Sequence, residues 1–287
     1  LSIPIMFLHW TDNDYLAYTL RQAKISSPAS DVILIGTDIN NKYCGDGIHH
    51  VQMHNYYHGA AEFERVYKHL TPNEYVYNRF CFQRWFVLRD FMKTHHFTEC
   101  WVLDTDIMLY TDLSNPKYKC FSGEWTWTTY ITLKELEELC TVTHIHFQED
   151  NLFEYLKYFT KQKDAYSRTH EGYAISDMVT QTLYYDNYLL RDRMYGVFED
   201  SFFDNELFSA HPGVETLDNK KKIYLINGNL MCRRSDNGQF IKAITIHFTQ
   251  SVNKKYIPHF YGPNLSPYNY GSYYFDYTSC QWIPTSL

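Results

Sequence analysis

Glu99-Cys-Trp-Val-Leu-Asp-Thr-Asp-Ile-Met-Leu-Tyr-Thr-Asp112 decides the reading of this chain, because a short apolar run there ends abruptly in two carboxylates, Asp104 and Asp106. Trp101, Val102 and Leu103 read as a buried strand with the acidic pair at its carboxyl end. One residue separates the aspartates, so on an extended chain both side chains point to one side. Neighbouring carboxylates repel unless protonated or bridged, and a hard cation with oxygen ligands, Mg2+ or Mn2+, is the common remedy. The stretch therefore predicts a metal site that holds a phosphorylated substrate.

Working outward, Ile3 to Trp10 (IPIMFLHW) is an apolar run followed by the polar cluster Thr11-Asp-Asn-Asp14 and a helical pattern through about Lys24. Pro28 and Ser30 punctuate, and Asp31 to Gly36 (DVILIG) reads as a second buried strand. A strand-helix-strand unit of this length implies parallel strands and an α/β fold. A short helix is expected from about Glu62 to His69 and a stronger one from Asn78 to Thr94, leading straight into the acidic strand. Open parallel sheets bind their ligands at the carboxyl ends of strands, which is where Asp104 falls. Beyond Pro116, a strand is expected over Trp125 to Ile131, then a helix opened by the capping box Thr132-Leu-Lys-Glu135 and running to about Cys140. Further helices are expected over Asp150 to Lys161 and Ile175 to Tyr185, with strands at Lys222 to Ile226 and Ile241 to Phe248. From Lys254 the chain is rich in Tyr, Pro, Asn and Gly and reads as an irregular tail. We expect one domain over 1–287, divided at 1–113, 114–253 and the tail at 254–287.

At 287 residues the chain can bury a sizeable core. Its net charge of -7 gives no basic field, which argues against nonspecific nucleic-acid binding. The seven cysteines are scattered without CxxC spacing, which disfavours a zinc ribbon or disulfide framework and fits reduced thiols in a cytoplasmic protein. No apolar stretch approaches the roughly 18 residues needed to span a bilayer. The chain opens at Leu1, without an initiator methionine, and enters a strand pattern at once, as expected of a trimmed chain or of a domain cut from something longer. Aromatic residues make up 18%, with 27 tyrosines, a side chain whose flat face and hydroxyl suit sugar rings and half-buried surfaces alike.

A bare DxD is a weak signal, since such pairs are frequent on surfaces, and it is the apolar approach that raises it. Phosphatases of the haloacid dehalogenase type also end a strand in DxD, but near the chain start and with Thr or Val where this chain has Met108. Arg84 is a second candidate: its helical neighbours Phe80, Cys81, Val87, Leu88 and Phe91 are apolar, so a guanidinium on that face needs a partner, either Asp104 or a phosphate, unless it snorkels to water. Ala243 to Phe248 (AITIHF) is an apolar strand ending in His247. Asp177 stands either as a helix N-cap or as an acidic group in a site. Asp200, Asp204 and Glu206 form a cluster that binds hydroxyls or faces water, and the pairs His49-His50 and His95-His96 read as surface or loop residues.

Taken together, IPIMFLHW, DYLAYTLRQAK, DVILIGTD, RFCFQRWFVLRDFM and VLDTDIMLYTDL resemble the DxD glycosyltransferases of GT-A fold, in a bacterial form. The resemblance implies a Rossmann-like, mostly parallel central sheet with flanking helices, in which 1–113 binds the nucleotide-sugar and 114–253 lies on the acceptor side. It also implies an enzyme of hexosyltransferase type that moves a sugar from a nucleoside-diphosphate sugar, a UDP-sugar first, to a saccharide or other hydroxyl acceptor with Mn2+ or Mg2+. By that resemblance His9, Trp10 and Asp12 lie near base and ribose, Asp104 bridges ribose and metal, and Asp106 is a direct ligand. The late strand is similar to that of glycogenin-like enzymes, whose His-Phe supplies a metal-binding histidine followed by Gly and Lys. His247 matches, Gln250 and Asn253 stand where Gly and Lys are usual, and Lys254 is the nearest candidate for the phosphate-binding lysine. Asp177 falls where related transferases place an acidic residue beside the moving sugar, and the His-Phe strand leans toward retention. A metal-dependent phosphohydrolase and a non-catalytic carbohydrate-binding protein are the alternatives.

Overall fold

The structure, a computed structural model, describes residues 2–121, 128–189 and 196–287. The expected α/β architecture is present. The chain runs β1 (Ile5–Leu8), α1 (Leu16–Ser26), β2 (Val32–Gly36), β3 (Ile48–Gln52), α2 (His58–Glu64), α3 (Tyr75–His95), β4 (Glu99–Leu103), β5 (Ile107–Leu109) and β6 (Thr128–Thr132). It continues through α4 (Leu133–Gln148), α5 (Asp150–Lys163), α6 (Ala165–Thr169) and α7 (Asp177–Asn187). The central sheet has the order β3-β2-β1-β4-β6, parallel except for β6. The expected strand from Trp125 begins outside the described residues, and β6 is its described part.

Alternation explains why these strands read as unbroken apolar runs. Met6, Leu8, Ile33, Ile35, Cys100 and Val102 pack on one face under α3, α4, α5 and α7. Their neighbours Ile5, Phe7, Val32, Leu34, Trp101 and Leu103 pack on the other, against Leu16, Leu20 and Ala23 of α1. A parallel sheet covered on both faces has no polar side to show. The helix that feeds the acidic strand is well capped: the Glu74 carboxylate accepts the Val76 and Tyr77 N–H groups, and His96 ends α3 at φ 59°. The Thr132–Glu135 capping box opens α4 as expected, although the helix continues to Gln148. The expected helix over Glu62 to His69 lies earlier in the chain, because the Asp90 carboxylate on α3 accepts the Gly59 N–H at 2.8 Å and anchors its start.

The second half departs from expectation. Beyond 196 come β7 (Val197–Phe198), β8 (Ser201–Phe202), β9 (Thr216–Leu217), β10 (Lys220–Lys221), β11 (Ile223–Ile226), β12 (Asn229–Arg233), β13 (Phe240–Ala243), β14 (Thr245–His247), β15 (Ser272–Asp276) and β16 (Gln281–Pro284). Seven of them form a second sheet of order β16-β15-β11-β12-β13-β8-β7 with its own core. The expected irregular tail thus ends in a hairpin that extends this sheet, with Phe275 opposite Trp282 and both rings packed on Phe260. The expected strand over Ile241 to Phe248 is two strands. At Ile244 the chain leaves the second sheet, and β14 pairs instead with β5.

The end of β2 is tightly packed. A Cβ on Gly36 would sit 2.6 Å from Asn40 Oδ1 and 3.1 Å from the His9 carbonyl oxygen. That Asn40 oxygen accepts the Thr37 N–H, while its amide donates to the Thr11 carbonyl. Gly36→Ala is expected to destabilise the protein by about 1–3 kcal/mol, read as a lower denaturation midpoint with an unchanged slope.

Candidate functional site

β4 ends at Leu103, and residues 104–106 make a turn closed by the Ile107 N–H donating to the Asp104 carbonyl at 3.1 Å. The acidic pair is therefore not carried on extended chain, as its spacing suggested. β5 then pairs antiparallel with β14, His247 opposite Ile107, and the Phe248 N–H donates to the Asp106 carbonyl at 3.0 Å. This pairing brings together residues far apart in sequence. Asp104, Asp106 and His247 each present one ligand atom, and these atoms all lie within 4.8 Å of one another.

Each carboxylate already has a basic partner. Arg84 Nη1 donates to Asp104 Oδ1 at 2.6 Å, and its Nη2 donates to Asp177 Oδ2 at 3.0 Å. His247 Nε2 lies 3.2 Å from Asp106 Oδ1, and Lys254 Nζ lies 3.2 Å from Asp106 Oδ2. The repulsion that led the sequence to call for a metal is thus met here by side chains. Burial works to raise the Asp106 carboxyl, but His247 and Lys254 outweigh it and hold it well below the usual carboxylate range. Asp104 goes the other way: burial raises it, Arg84 opposes, and the neighbouring Asp106 adds to the rise. Burial alone would lower His247, yet the Asp106 carboxylate leaves it above its ordinary value.

The Arg84 guanidinium is a bridge from β4 to the start of α7. Trp85 Nε1 donates to the same Asp177 oxygen at 3.1 Å. Asp177 is therefore no N-cap: Ser176 holds that position, without a side-chain capping bond. Snorkelling is likewise excluded for Arg84, whose side chain is only 13% exposed.

Two cavities share the wall formed by Tyr77, Cys81, Arg84, Asp104, Asp106 and Lys254. The first, about 230 Å³, runs past His9, Trp10, Tyr15 and Phe80. Trp10 stacks on Phe80 with ring centroids 5.0 Å apart and planes 15° from parallel. His9 Nδ1 lies 3.0 Å from the Thr105 hydroxyl and Nε2 lies 2.9 Å from Asn13 Oδ1, and burial pushes its imidazole below its ordinary pKa. The second cavity, about 360 Å³, runs past Asn73, Asn78, Asp177, His247 and Gln250.

Of the residues singled out from sequence, His9, Trp10, Arg84, Asp104, Asp106, Asp177, His247 and Lys254 line one cavity or both. Asp12 does not: its carboxylate is held by Lys42 at 2.7 Å and the Tyr43 hydroxyl at 2.5 Å, outside the cavity lining. Asp204 neither binds a ligand nor faces water, since its side chain is fully buried against Lys221. Tyr77, Phe80 and Cys81 were missed as lining residues. Their signal was present, because 77, 81 and 84 recur at four and three residues and so share one face of α3 with Arg84. Asn73 and Gln250 lie in loops and carried no such periodicity.

Arg84→Met would leave the buried Asp177 and the half-buried Asp104 carboxylates without their shared cation. We expect a loss of about 3–5 kcal/mol in stability by chemical denaturation. Adding Asp177→Asn to that variant is expected to restore part of the loss.

No family model matches this chain, and a comparison with curated proteins gives no match. Among solved structures, the PaToxG glycosyltransferase is similar with a TM-score of 0.39 and 10% sequence identity, over 65% of this chain and 70% of that chain. No helix among the described residues is long and apolar enough to cross a membrane.

Proposed function

We propose that this protein is a metal-dependent glycosyltransferase that moves a sugar from a nucleoside-diphosphate sugar to a hydroxyl acceptor. The observation that carries this reading is the convergence of Asp104, Asp106 and His247 within 4.8 Å, at the wall between two cavities. Two carboxylate oxygens and one imidazole nitrogen suit Mn2+, and also Mg2+ where waters complete the shell. Asp104, Asp106 and His247 would hold that ion, which supplies positive charge against a departing diphosphate.

The chain's own residues divide the remaining work. In the first cavity the Trp10–Phe80 stack offers an aromatic wall for a nucleobase. His9, whose imidazole burial pushes below its ordinary pKa, and Thr105 offer hydrogen bonds beside it. Lys254 borders both cavities and has a flexible stem, so its ammonium can turn from Asp106 to a phosphate oxygen once Asp106 is engaged. In the second cavity Asp177 is fixed by Arg84 and Trp85 through one oxygen, Oδ2, and would orient a sugar or acceptor hydroxyl. UDP-sugars are the first donors to test.

Thermal shift against a panel of nucleoside diphosphates, each with and without Mn2+, tests the reading. One of them at about 100-fold over its Kd should raise the Tm by roughly 5 °C only when Mn2+ is present. Asp106→Asn should abolish that shift. Silence across the whole panel would sink the proposal. Trp10→Ala separates the two ends of the site: nucleotide affinity should fall roughly tenfold while Mn2+ binding is kept.

A further inference from the structure

Lys221 and Asp204 form an ion pair, Nζ to Oδ1 at 2.9 Å, in which both side chains are 0% exposed. Such a pair is poor evidence of stabilisation, because desolvating two charges costs about as much as their attraction returns. What the pair touches points to another role. Asp204 uses its second oxygen, Oδ2, to accept the main-chain N–H of His247 at 2.9 Å. The next residue, Asn205, accepts His247 Nδ1–H on its carbonyl at 2.7 Å, which turns Nε2 toward Asp106. The residue after that, Glu206, has its carbonyl held by Lys221 Nζ at 2.5 Å. Lys221 thus grips both ends of a three-residue segment whose first two members fix the backbone and the ring of His247.

The clamp is closed at its edges. The Asp204 N–H donates to Thr245 Oγ1 at 2.9 Å, and the Leu207 N–H donates to the His247 carbonyl at 3.0 Å. The Lys221 N–H donates to the Leu207 carbonyl at 2.7 Å, and the Tyr277 hydroxyl donates to the Lys221 carbonyl at 2.6 Å. Through Lys221, at the end of β10 and just before β11, and through Tyr277, just after β15, the second sheet therefore reaches the histidine that faces the acidic turn.

We propose that the buried Lys221–Asp204 pair is a positioning device that holds His247 in place and oriented for a divalent cation, and so sets the affinity of the Asp104–Asp106–His247 group. This rests on the reading of those three residues as metal ligands. Partners that orient a metal-binding imidazole typically change affinity by about 10- to 100-fold when removed.

The test compares two apolar or neutral replacements of the pair, with Mn2+ binding read by EPR of the free ion and the His247 ring read by its imidazole nitrogen shifts. Lys221→Met with Asp204→Leu removes the charges and the acceptor for the His247 N–H, and should weaken Mn2+ binding about 10- to 100-fold. Lys221→Met with Asp204→Asn keeps an acceptor there, and should recover part of that affinity with nitrogen shifts closer to wild type. If the leucine variant does not fold, Thr245→Val provides the milder form, loosening only the Asp204 end, and a drop of severalfold is expected. A folded leucine variant, or in its place Thr245→Val, that binds Mn2+ within twofold of wild type overturns the positioning role, whatever its Tm. A wild-type protein that does not bind Mn2+ at all instead overturns the metal site itself, and the positioning role with it.

Discussion

The antiparallel pairing of Ile107–Leu109 with Thr245–His247 is the contact on which the rest of the site depends. It is a short ladder, yet it ties a strand continuing from the first sheet to a strand leaving the second. Because side chains alternate along it, one register alone sets His247 toward Asp106; a slip by one residue would send the imidazole to the opposite face. The two cavities, the acidic turn and the buried network behind the histidine all take their places from that register.

The first half of the fold was legible because its strands are covered on both faces and its helices carry caps. DVILIG and ECWVL can be little else in a chain with helical patterns between them. β3 was not legible: IHHVQ lies at the sheet edge, and His49 and His50 hide its alternation. The second sheet was obscured in a different way. Its strands are short, two of them only two residues long, and the last hairpin is built from aromatic residues that also suit a loosely packed surface. No local pattern distinguishes SYYFD in a strand from SYYFD in a tail; the difference lies in Trp282 and Phe260 across the core.

The site divided along the same line. Arg84 was readable because a guanidinium among apolar helical neighbours must be paired, and it is, with Asp104 and Asp177 together. His247 carried only the weak signal of a strand end, and its support came from residues 204 to 206, of which sequence singled out Asp204 and Glu206, with Asp200, as an ambiguous acidic cluster and left Asn205 unread. Asp12 shows the limit of spacing arguments: it follows His9 and Trp10 closely, but Lys42 and Tyr43 draw its carboxylate elsewhere. Charge was the least legible quantity. Asp106 is balanced by Lys254, whose approach depends on tertiary contacts that no local pattern reveals.

Thr105, the middle residue of the acidic turn, gives this arrangement a thermodynamic consequence. Its hydroxyl meets His9 in the first cavity, while its neighbour Asp104 pairs with Arg84 and its neighbour Asp106 with His247 and Lys254, all of which border the second. One three-residue turn is thus common property of both sites. A ligand that favours one setting of the turn from the first cavity alters binding at the acidic pair by some factor, and linkage requires the reverse effect to be equal. Under the proposed function, occupancy at either end would then bear on the other through a single peptide turn.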